Sequence, residues 1–303
     1  MTDANSALSP QHSALIQVGC QGWNYEDWTG DGVFYPRGTR TTEMLEIYAR
    51  AFDTVEVDST FYAIPAASTV EKWHKRTPAH FTFALKLPQI ITHERMLRPN
   101  SYELLAEFCE CARRLREKLA AVLIQLPPNF ALTAENGQVL KKFLPCLPTD
   151  IRFAVEFRAR EWLHPKVLAF LREYNVAPAL VEGKWLEQKR VWELAVAPTA
   201  DFAYIRWMGE RDLTSFARAQ RPQDDNLQQW AELMRRMQAN TPRTYAYFSN
   251  FYEGHAPSSA NTLKQMLGQQ TLNSEDLAES ASFLEDSFSA LSSMSSASKP
   301  VFF

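Results

Sequence analysis

Glu56, Lys86, His93, Glu156 and Arg206 are side chains whose types, brought together, could carry out acid/base chemistry on an anionic molecule. A carboxylate takes or gives a proton when neighbouring cations tune it. Lysine and arginine hold phosphate or carboxylate groups, the arginine in bidentate fashion. Which glutamate would be acid and which base is open at this level. Each of these residues except His93 closes a short apolar run. In TVEVD, Glu56 and Asp58 share a face. Thr82, Ala84 and Lys86 share one in FTFALK, as do Leu123 and Gln125 in AVLIQ. Ala154, Glu156 and Arg158 share one in RFAVEFR. Tyr204 and Arg206 do so in FAYIRW, and Asn250 lies with Ala246 and Phe248 in YAYFSN. The recurring order is a small or apolar residue followed by a polar one on the same side.

Such runs must be strands, and something must make their ends converge. Eight apolar, β-branched or aromatic runs recur: Leu15–Cys20, Thr54–Val57, Phe81–Leu85, Ala121–Gln125, Arg152–Glu156, Ala177–Val181, Phe202–Arg206 and Thr244–Phe248. Their length and boundaries read as buried strands. Helical patterns fill most gaps. Met44, Leu45 and Tyr48 follow a Thr41 or Thr42 cap. Tyr102, Leu105, Phe108, Ala112 and Leu115 keep a helical step, as do Leu163, Val167, Phe170, Leu171 and Tyr174, and again Leu227, Trp230, Leu233 and Met237. Trp185–Ala195 fits no clear helix. Strand and helix in alternation imply a parallel sheet. No glycine-rich dinucleotide turn follows the first run, so a closed TIM-like (β/α)8 barrel is predicted over residues 15–268 rather than a doubly wound sheet. Barrel sites lie at the C-terminal strand ends, and Glu56, Lys86, Gln125, Glu156, Arg206 and Asn250 are expected to meet there.

The loops extend this expectation. Gln21–Arg40 holds Trp23, Tyr25, Trp28, Phe34 and Tyr35, and half of the ten glycines lie between Gly19 and Gly38. It either caps a pocket or packs on the rim. The third loop carries His93 and Arg95. In the eighth, Gly254 and a Ser258/Ser259 cap suggest an anion-binding helix start.

The bulk composition sets bounds. The chain has 303 residues, 46% hydrophobic and 22% charged, with a formal net charge of -3. That argues against an anionic membrane surface or a broad nucleic-acid footprint, while leaving room for a local basic pocket that takes a small anionic ligand. The four cysteines, Cys20, Cys109, Cys111 and Cys146, show no metal-ligand spacing and read as free thiols of a reducing cytoplasm. The first 14 residues are expected to be flexible and show no signal-peptide pattern. No run approaches the ~20 apolar residues of a membrane span. From Gln269 to Phe303 there are ten serines, five acids and one base, Lys299, so a disordered or weakly helical acidic tail is expected.

The runs GCQGWNYEDWTGDGVFYP, TVEVDSTFYAIP and WHKRTPAHFTFALKLPQIITHERML resemble the YecE-like family, a domain-of-unknown-function family (number 72). LIQLPP, FAVEFRAREW, YIRWMG and YFSNFYEGHAPSSANTL continue the match in order, from about Val18 to Leu267. The resemblance implies a TIM-like barrel and supplies no reaction. It marks Gly22, Trp23, Glu56, Thr60, Phe61, Tyr62, Lys86, His93, Glu156, Arg158, Trp162, Arg206, Gly209, Asn250 and Gly254 as recurring positions. This chain departs at Asp58, where the family usually carries Asn, and at Gln21, Trp207-Met208 and Ser249. Asp58 adds negative charge beside Glu56.

The catalytic set is therefore expected to be Glu56, Lys86, Glu156 and His93. Trp23, Tyr62, Gln125, Arg158, Arg206, Asn250 and Gly254 are expected to hold the substrate. No cofactor or metal is expected, since only His93 and His255 are available as imidazoles and both lie on loops. A Schiff-base role for Lys86 is weaker than an ion pair with the two acids. A retaining glycosidase is disfavoured because strands four and seven end in Gln125 and Arg206, and strands two and five lie far apart. A nucleic-acid or nucleotide-binding barrel, or a metal-dependent phosphoesterase resembling endonuclease IV, are the alternatives. Glu56→Gln or Glu156→Gln should abolish function at a cost of about 1–2 kcal/mol in stability.

Overall fold

A computed structural model describes residues 15–184 and 186–278. The flexible start (1–14) and most of the acidic tail (279–303) lie outside the described residues. Eight parallel strands close into a barrel in sequence order: β1 Leu15–Gln21, β2 Thr54–Val57, β3 Thr82–Lys86, β4 Leu119–Gln125, β5 Phe153–Glu156, β6 Val176–Glu182, β7 Ala203–Trp207 and β8 Arg243–Phe248. Pairing of β1 with β8, from Leu15↔Arg243 to Cys20↔Phe248, completes the closure. Each expected strand lies within two residues of its observed bounds.

The helices follow the strands around the outside: α1 Met44–Ala51, α2 Ala67–Lys75, α3 Tyr102–Ala112, α4 Ala134–Phe143, α5 Pro165–Glu173, α6 Gln188–Ala195, α7 Asp224–Met237, the short α8 Asn250–Glu253 and α9 Ala256–Met266. Helix α6 falls where no helix was expected. It runs little more than two turns, and the unbroken apolar residues from Leu194 to Ala197 blur its period. Val191, Leu194 and Ala195 nevertheless share its buried face. The N-cap of α1 is Glu43 rather than a threonine. That of α9 is His255, so Ser258 and Ser259 fall inside its first turn.

Strand alternation splits the buried residues into two sets. One set faces the helices and includes Val55, Phe83, Ile124, Val155, Ile205, Ala246 and Phe248. The other fills the barrel with Ala84, Ala121, Leu123, Ala154, Ala177, Ala179, Val181, Phe202, Tyr204, Tyr245 and Tyr247. The small residues of β3 to β6 leave room for the tyrosines of β7 and β8. The Tyr204 and Tyr247 rings lie 5.2 Å apart. Toward the N-terminal end the filling turns polar. Thr82 bonds Gln17 (3.1 Å) and Thr54 (2.9 Å), and Thr54 bonds Tyr247 (2.9 Å). These bonds satisfy groups that would each cost about 1–3 kcal/mol if buried unpaired.

The packed chain continues beyond Leu267. Gln269 Nε2 donates to the Ile16 carbonyl (2.8 Å), Asn261 Nδ2 to that of Leu272 (3.2 Å), and a helical turn at 274–278 buries Leu277 completely. The four cysteines are free thiols. Among the described residues, no helix is long and apolar enough to cross a membrane.

Candidate functional site at the barrel mouth

The inward position of each strand's last turn points toward the C-terminal rim, and most of the expected residues occupy it. Arg206, from β7, reaches across the barrel. Its Nε donates to Glu56 Oε2 (2.9 Å) and its Nη2 to Glu56 Oε1 (2.7 Å). Its Nη1 donates to Glu156 Oε2 and lies 3.4 Å from Gln125 Oε1. Tyr204 Oη donates to Glu56 Oε2 (2.6 Å), and Arg158 Nε to Glu156 Oε1 (3.2 Å). Glu56, Glu156 and Arg206 are each no more than 1% exposed. A charge buried this far is tolerated only with paired partners. Here one guanidinium serves two carboxylates from strands on opposite sides.

The electrostatics of the two acids diverge. Burial pushes the Glu56 carboxyl above its usual range, with Arg206 opposing and Asp58 adding to the rise. Burial also raises Glu156, but Arg206, Arg158 and Lys86 together outweigh it and hold that carboxyl below its usual range.

Above this layer opens a cavity of about 320 Å³, lined by Gln21, Tyr25, Asp58, Phe61, Tyr62, Lys86, Gln89, His93, Gln125, Arg158, Arg206, Met208, Arg211, Ser249 and Phe251. A second cavity of about 520 Å³ shares Arg158, Met208 and Arg211 with it and adds Lys184, Gly209, Glu210 and Asp212. Thr60 fixes Lys86 here. Its hydroxyl accepts from the Lys86 amide (2.9 Å) and lies 2.8 Å from the Lys86 carbonyl. Lys86 Nζ stands 3.7 Å from Asp58 Oδ1 and 4.2 Å above the Phe61 ring. Burial lowers its pKa, as does the Arg206 charge, against the pull of Asp58, Glu56 and Glu156. His93 lies on a π-helical turn, Ile90–Glu94, and meets the same Phe61 ring edge-on at 5.0 Å. Its Nδ1 pairs with Thr92 Oγ1 (2.8 Å). Burial, with Arg158 and Lys86, lowers His93 to about 4, so the ring is neutral at pH 7.

The structure thus brings together Glu56, Lys86, His93, Glu156, Tyr62, Gln125, Arg158 and Arg206. It places Trp23, Asn250 and Gly254 elsewhere. The inward residues of β8 are Tyr245 and Tyr247, followed by Ser249, so Asn250 shares the outward parity of Ala246 and Phe248. Asn250 Oδ1 instead accepts from Trp28 Nε1 (3.0 Å) and the Ala256 amide (3.0 Å). That takes up the first amide of α9, which leaves the expected anion-binding helix start without it. Gly254 ends α8 at φ 109°, where an added Cβ would lie 2.8 Å from the Arg218 carbonyl. Trp23 packs edge-on against Trp73 at 5.8 Å. Trp28, Phe34 and Tyr35 are buried against Tyr48 and Phe52, so the first loop is a packed rim from which Tyr25 lines the cavity.

Sequence alternation did not single out Gln21, Phe61, Gln89, Met208, Arg211 or Phe251 for the mouth. Gln21 and Met208 obey the inward parity of their strands and could have been found; Arg211, Gln89 and Phe251 sit on loops or short turns, where no period applies. Glu182, at the end of β6, is turned outward and accepts from Trp230 Nε1 and Asn226 Nδ2. Among the described residues, no group of three or more His, Cys, Asp or Glu is assembled for a metal ion. His93 is in the mouth, whereas His255 is buried beside Trp28.

Comparison with known proteins extends these observations. The family described as "Protein of unknown function DUF72" matches residues 17–282. UPF0759 protein YunF of Bacillus subtilis is 27% identical over 84% of this chain and 95% of its own length. UPF0759 protein YecE of Escherichia coli K12 is 30% identical over 51% of each chain. A DUF72 family protein of Thermotoga maritima superposes with a TM-score of 0.69 at 24% identity, covering 84% of this chain and all of that one. One from Enterococcus faecalis gives 0.69 at 21% identity over 86% and 98%.

Proposed function

The chain belongs to the DUF72 family of proteins of unknown function, and on that premise we propose that it is an enzyme whose barrel mouth binds a small anionic molecule and moves a proton on it. The observation that carries this reading is the gathering of Lys86, Arg158, Arg206 and Arg211 with a neutral His93 around one cavity of about 320 Å³. Arginine and lysine side chains around a cavity suit a phosphate or carboxylate group. Asp58 in the same lining makes the charge mixed, which favours a small molecule over a nucleic-acid backbone.

The roles divide by accessibility. Glu56 and Glu156 are sealed beneath Arg206 and act as positioning residues for it. His93 is partly exposed to the cavity and unprotonated at pH 7, which suits a general base. Arg158 holds the anion, and Tyr62, 73% exposed, supplies an aromatic face at the rim.

A thermal-shift series with inorganic phosphate, glyoxylate and phosphoglycolate tests the reading. Ligand present at about ten times its Kd stabilises the native state by about 1.4 kcal/mol. Arg158→Ala should remove most of that stabilisation. Equal shifts in wild type and Arg158→Ala would overturn the assignment. Stabilisation by single-stranded oligonucleotides alone would move the ligand class to nucleic acid.

A further inference from the structure

We infer that Lys86 is an amine nucleophile that condenses with a carbonyl group on the anionic ligand to form an imine. This rests on the proposed anion site and names its substrate class: a small aldehyde or ketone bearing a carboxylate or phosphate.

Neither glutamate of the mouth holds Lys86 in an ion pair. An ion pair with the neighbouring glutamates would hold it as a permanent cation, but Arg206 takes both glutamates. Among the described residues, the one acid in ion-pair contact with it is Asp58, at 3.7 Å, beyond hydrogen-bond distance. The other buried lysines differ. Lys118 Nζ donates to the carbonyls of His74 (2.6 Å) and Thr77 (2.7 Å) and lies 3.1 Å from the Thr77 hydroxyl. Lys264 Nζ donates to the Ala51 carbonyl (2.8 Å). Both are anchored by hydrogen bonds to backbone carbonyls. The side chain of Lys86 instead lines the mouth cavity, lying over an aromatic ring and with its backbone fixed by Thr60.

Two further features equip it. Asp58 Oδ1 is buried with no hydrogen-bond partner and faces the amine, so it can accept a proton. The groups around Nζ are Glu56 and Asp58 from β2 and its following turn, Glu156 from β5, Arg206 from β7, and His93 and Arg158 on the rim. The balance of desolvation and the Arg206 charge over the acids lowers the lysine pKa, enlarging the neutral fraction.

The step balances without an oxidant. The ammonium passes a proton to the Asp58 carboxylate. The Nζ lone pair then bonds to the carbonyl carbon as the C=O π pair moves to oxygen. A proton shifts from nitrogen to that oxygen, giving the carbinolamine. Asp58 returns its proton to the hydroxyl, which leaves as water while nitrogen's lone pair forms the C=N bond. Carbonyl compound and Lys86 ammonium yield protonated imine and water, and hydrolysis reverses the sequence. The imine draws electrons from the adjacent C–H bond, within the cavity that His93 lines.

Peptide-level competition on the wild-type chain tests this. Limiting formaldehyde with cyanoborohydride at pH 7 should methylate Lys86 at least tenfold faster than the exposed Lys72, Lys141 and Lys189. Formaldehyde carries no charge, so this arm reads the amine alone. Glyoxylate with cyanoborohydride should label Lys86 with still greater preference, and Arg158→Ala should reduce only that excess. Lys86 labelled no faster than the exposed lysines by either reagent would overturn the inference. Preferential methylation with no glyoxylate excess would uphold the nucleophile and instead overturn the anion site. Lys86→Met, confirmed folded by circular dichroism, should lose the adduct.

Discussion

Arg206 clamps Glu56 in a bidentate pair, Nε to Oε2 at 2.9 Å and Nη2 to Oε1 at 2.7 Å, while its remaining Nη1 holds Glu156. The guanidinium is therefore the ion-pair partner of Glu56 and shares Glu156 with Arg158. Removing it strands Glu56 and leaves Glu156 with Arg158 alone. Arg206→Met should cost about 3–5 kcal/mol, the usual penalty for orphaning a buried charge. Glu56→Gln keeps the shape and leaves Arg206 paired with Glu156, so about 1–3 kcal/mol is expected. That range reaches above the 1–2 kcal/mol expected from sequence, where no shared partner was visible. Urea unfolding of the two variants checks both numbers, and a loss below 1 kcal/mol for Arg206→Met would show that the triad does not hold the barrel together.

Acid sensitivity should trace partly to His255. Its ring is 3% exposed, its Nδ1 pairs with Ser258 Oγ at 2.6 Å, and its Nε2 is buried without a partner. Burial lowers its pKa to about 4, against 6.5 for a free imidazole. A depressed folded pKa means that the unfolded chain binds the proton first. The stability is present above pH 6.5 and is lost as pH falls from there toward 4. Between pH 7 and 4.5 this single group accounts for about 2–3 kcal/mol. Wild type should lose that much more than His255→Gln over the same interval, measured by urea midpoints at the two pH values. Parallel loss in both proteins would assign the acid sensitivity to other groups, Glu156 first, since its lowered carboxyl acts with the same sign.

Two glycines at similar backbone angles should respond differently. Gly209, following β7, has φ 63°, and a Cβ there would lie 1.9 Å from the Phe251 carbonyl oxygen. Gly32 has φ 71° with nothing within 4 Å. Gly32→Ala pays only the left-handed strain, about 1–2 kcal/mol. Gly209→Ala adds a backbone collision that can be relieved only by moving the loop against α8, and should cost more than 3 kcal/mol. Thermal unfolding of the pair compares them directly, and equal losses would mean that the two loops yield freely.

The barrel and much of its mouth were legible because strand period and strand end are both written in the residue order. Glu56, Lys86, Gln125, Glu156 and Arg206 were reached by counting alternate residues to the end of each run. The same count failed at β8, where Ala246 and Phe248 look as inward as Tyr245 and Tyr247. Only the closed sheet shows that the small residues of β3 to β6 need the larger tyrosines opposite them. Sequence parity gave no pairing partners. It set Lys86 beside two acids, whereas the longer reach and forked donors of Arg206 claim both. Arg211 and Gln89 sit on connections whose path depends on packing, and no periodicity could bring them to the mouth.

Asp58 gives the Lys86 inference its sharpest prediction. Its carboxylate sits 3.7 Å from Nζ and favours the ammonium form, opposing burial and Arg206. Asp58→Asn removes that negative charge while keeping the side chain's shape. The lysine pKa should then fall further, because the charge that favoured the proton is gone while desolvation and Arg206 remain. The pH midpoint for Lys86 methylation, followed by peptide mass across pH 5–10, should therefore move downward in Asp58→Asn. With each protein held at its own midpoint, where the amine is half protonated in both, glyoxylate capture should be slower in Asp58→Asn, because the carboxylate that takes and returns the proton is absent. A lysine serving only as packing over Phe61 would show the displaced midpoint, which reads the Asp58 charge alone, but not the slower capture. An upward shift would mean that Asp58 does not act on Lys86 through its charge, and the proton-transfer role assigned to it would fall.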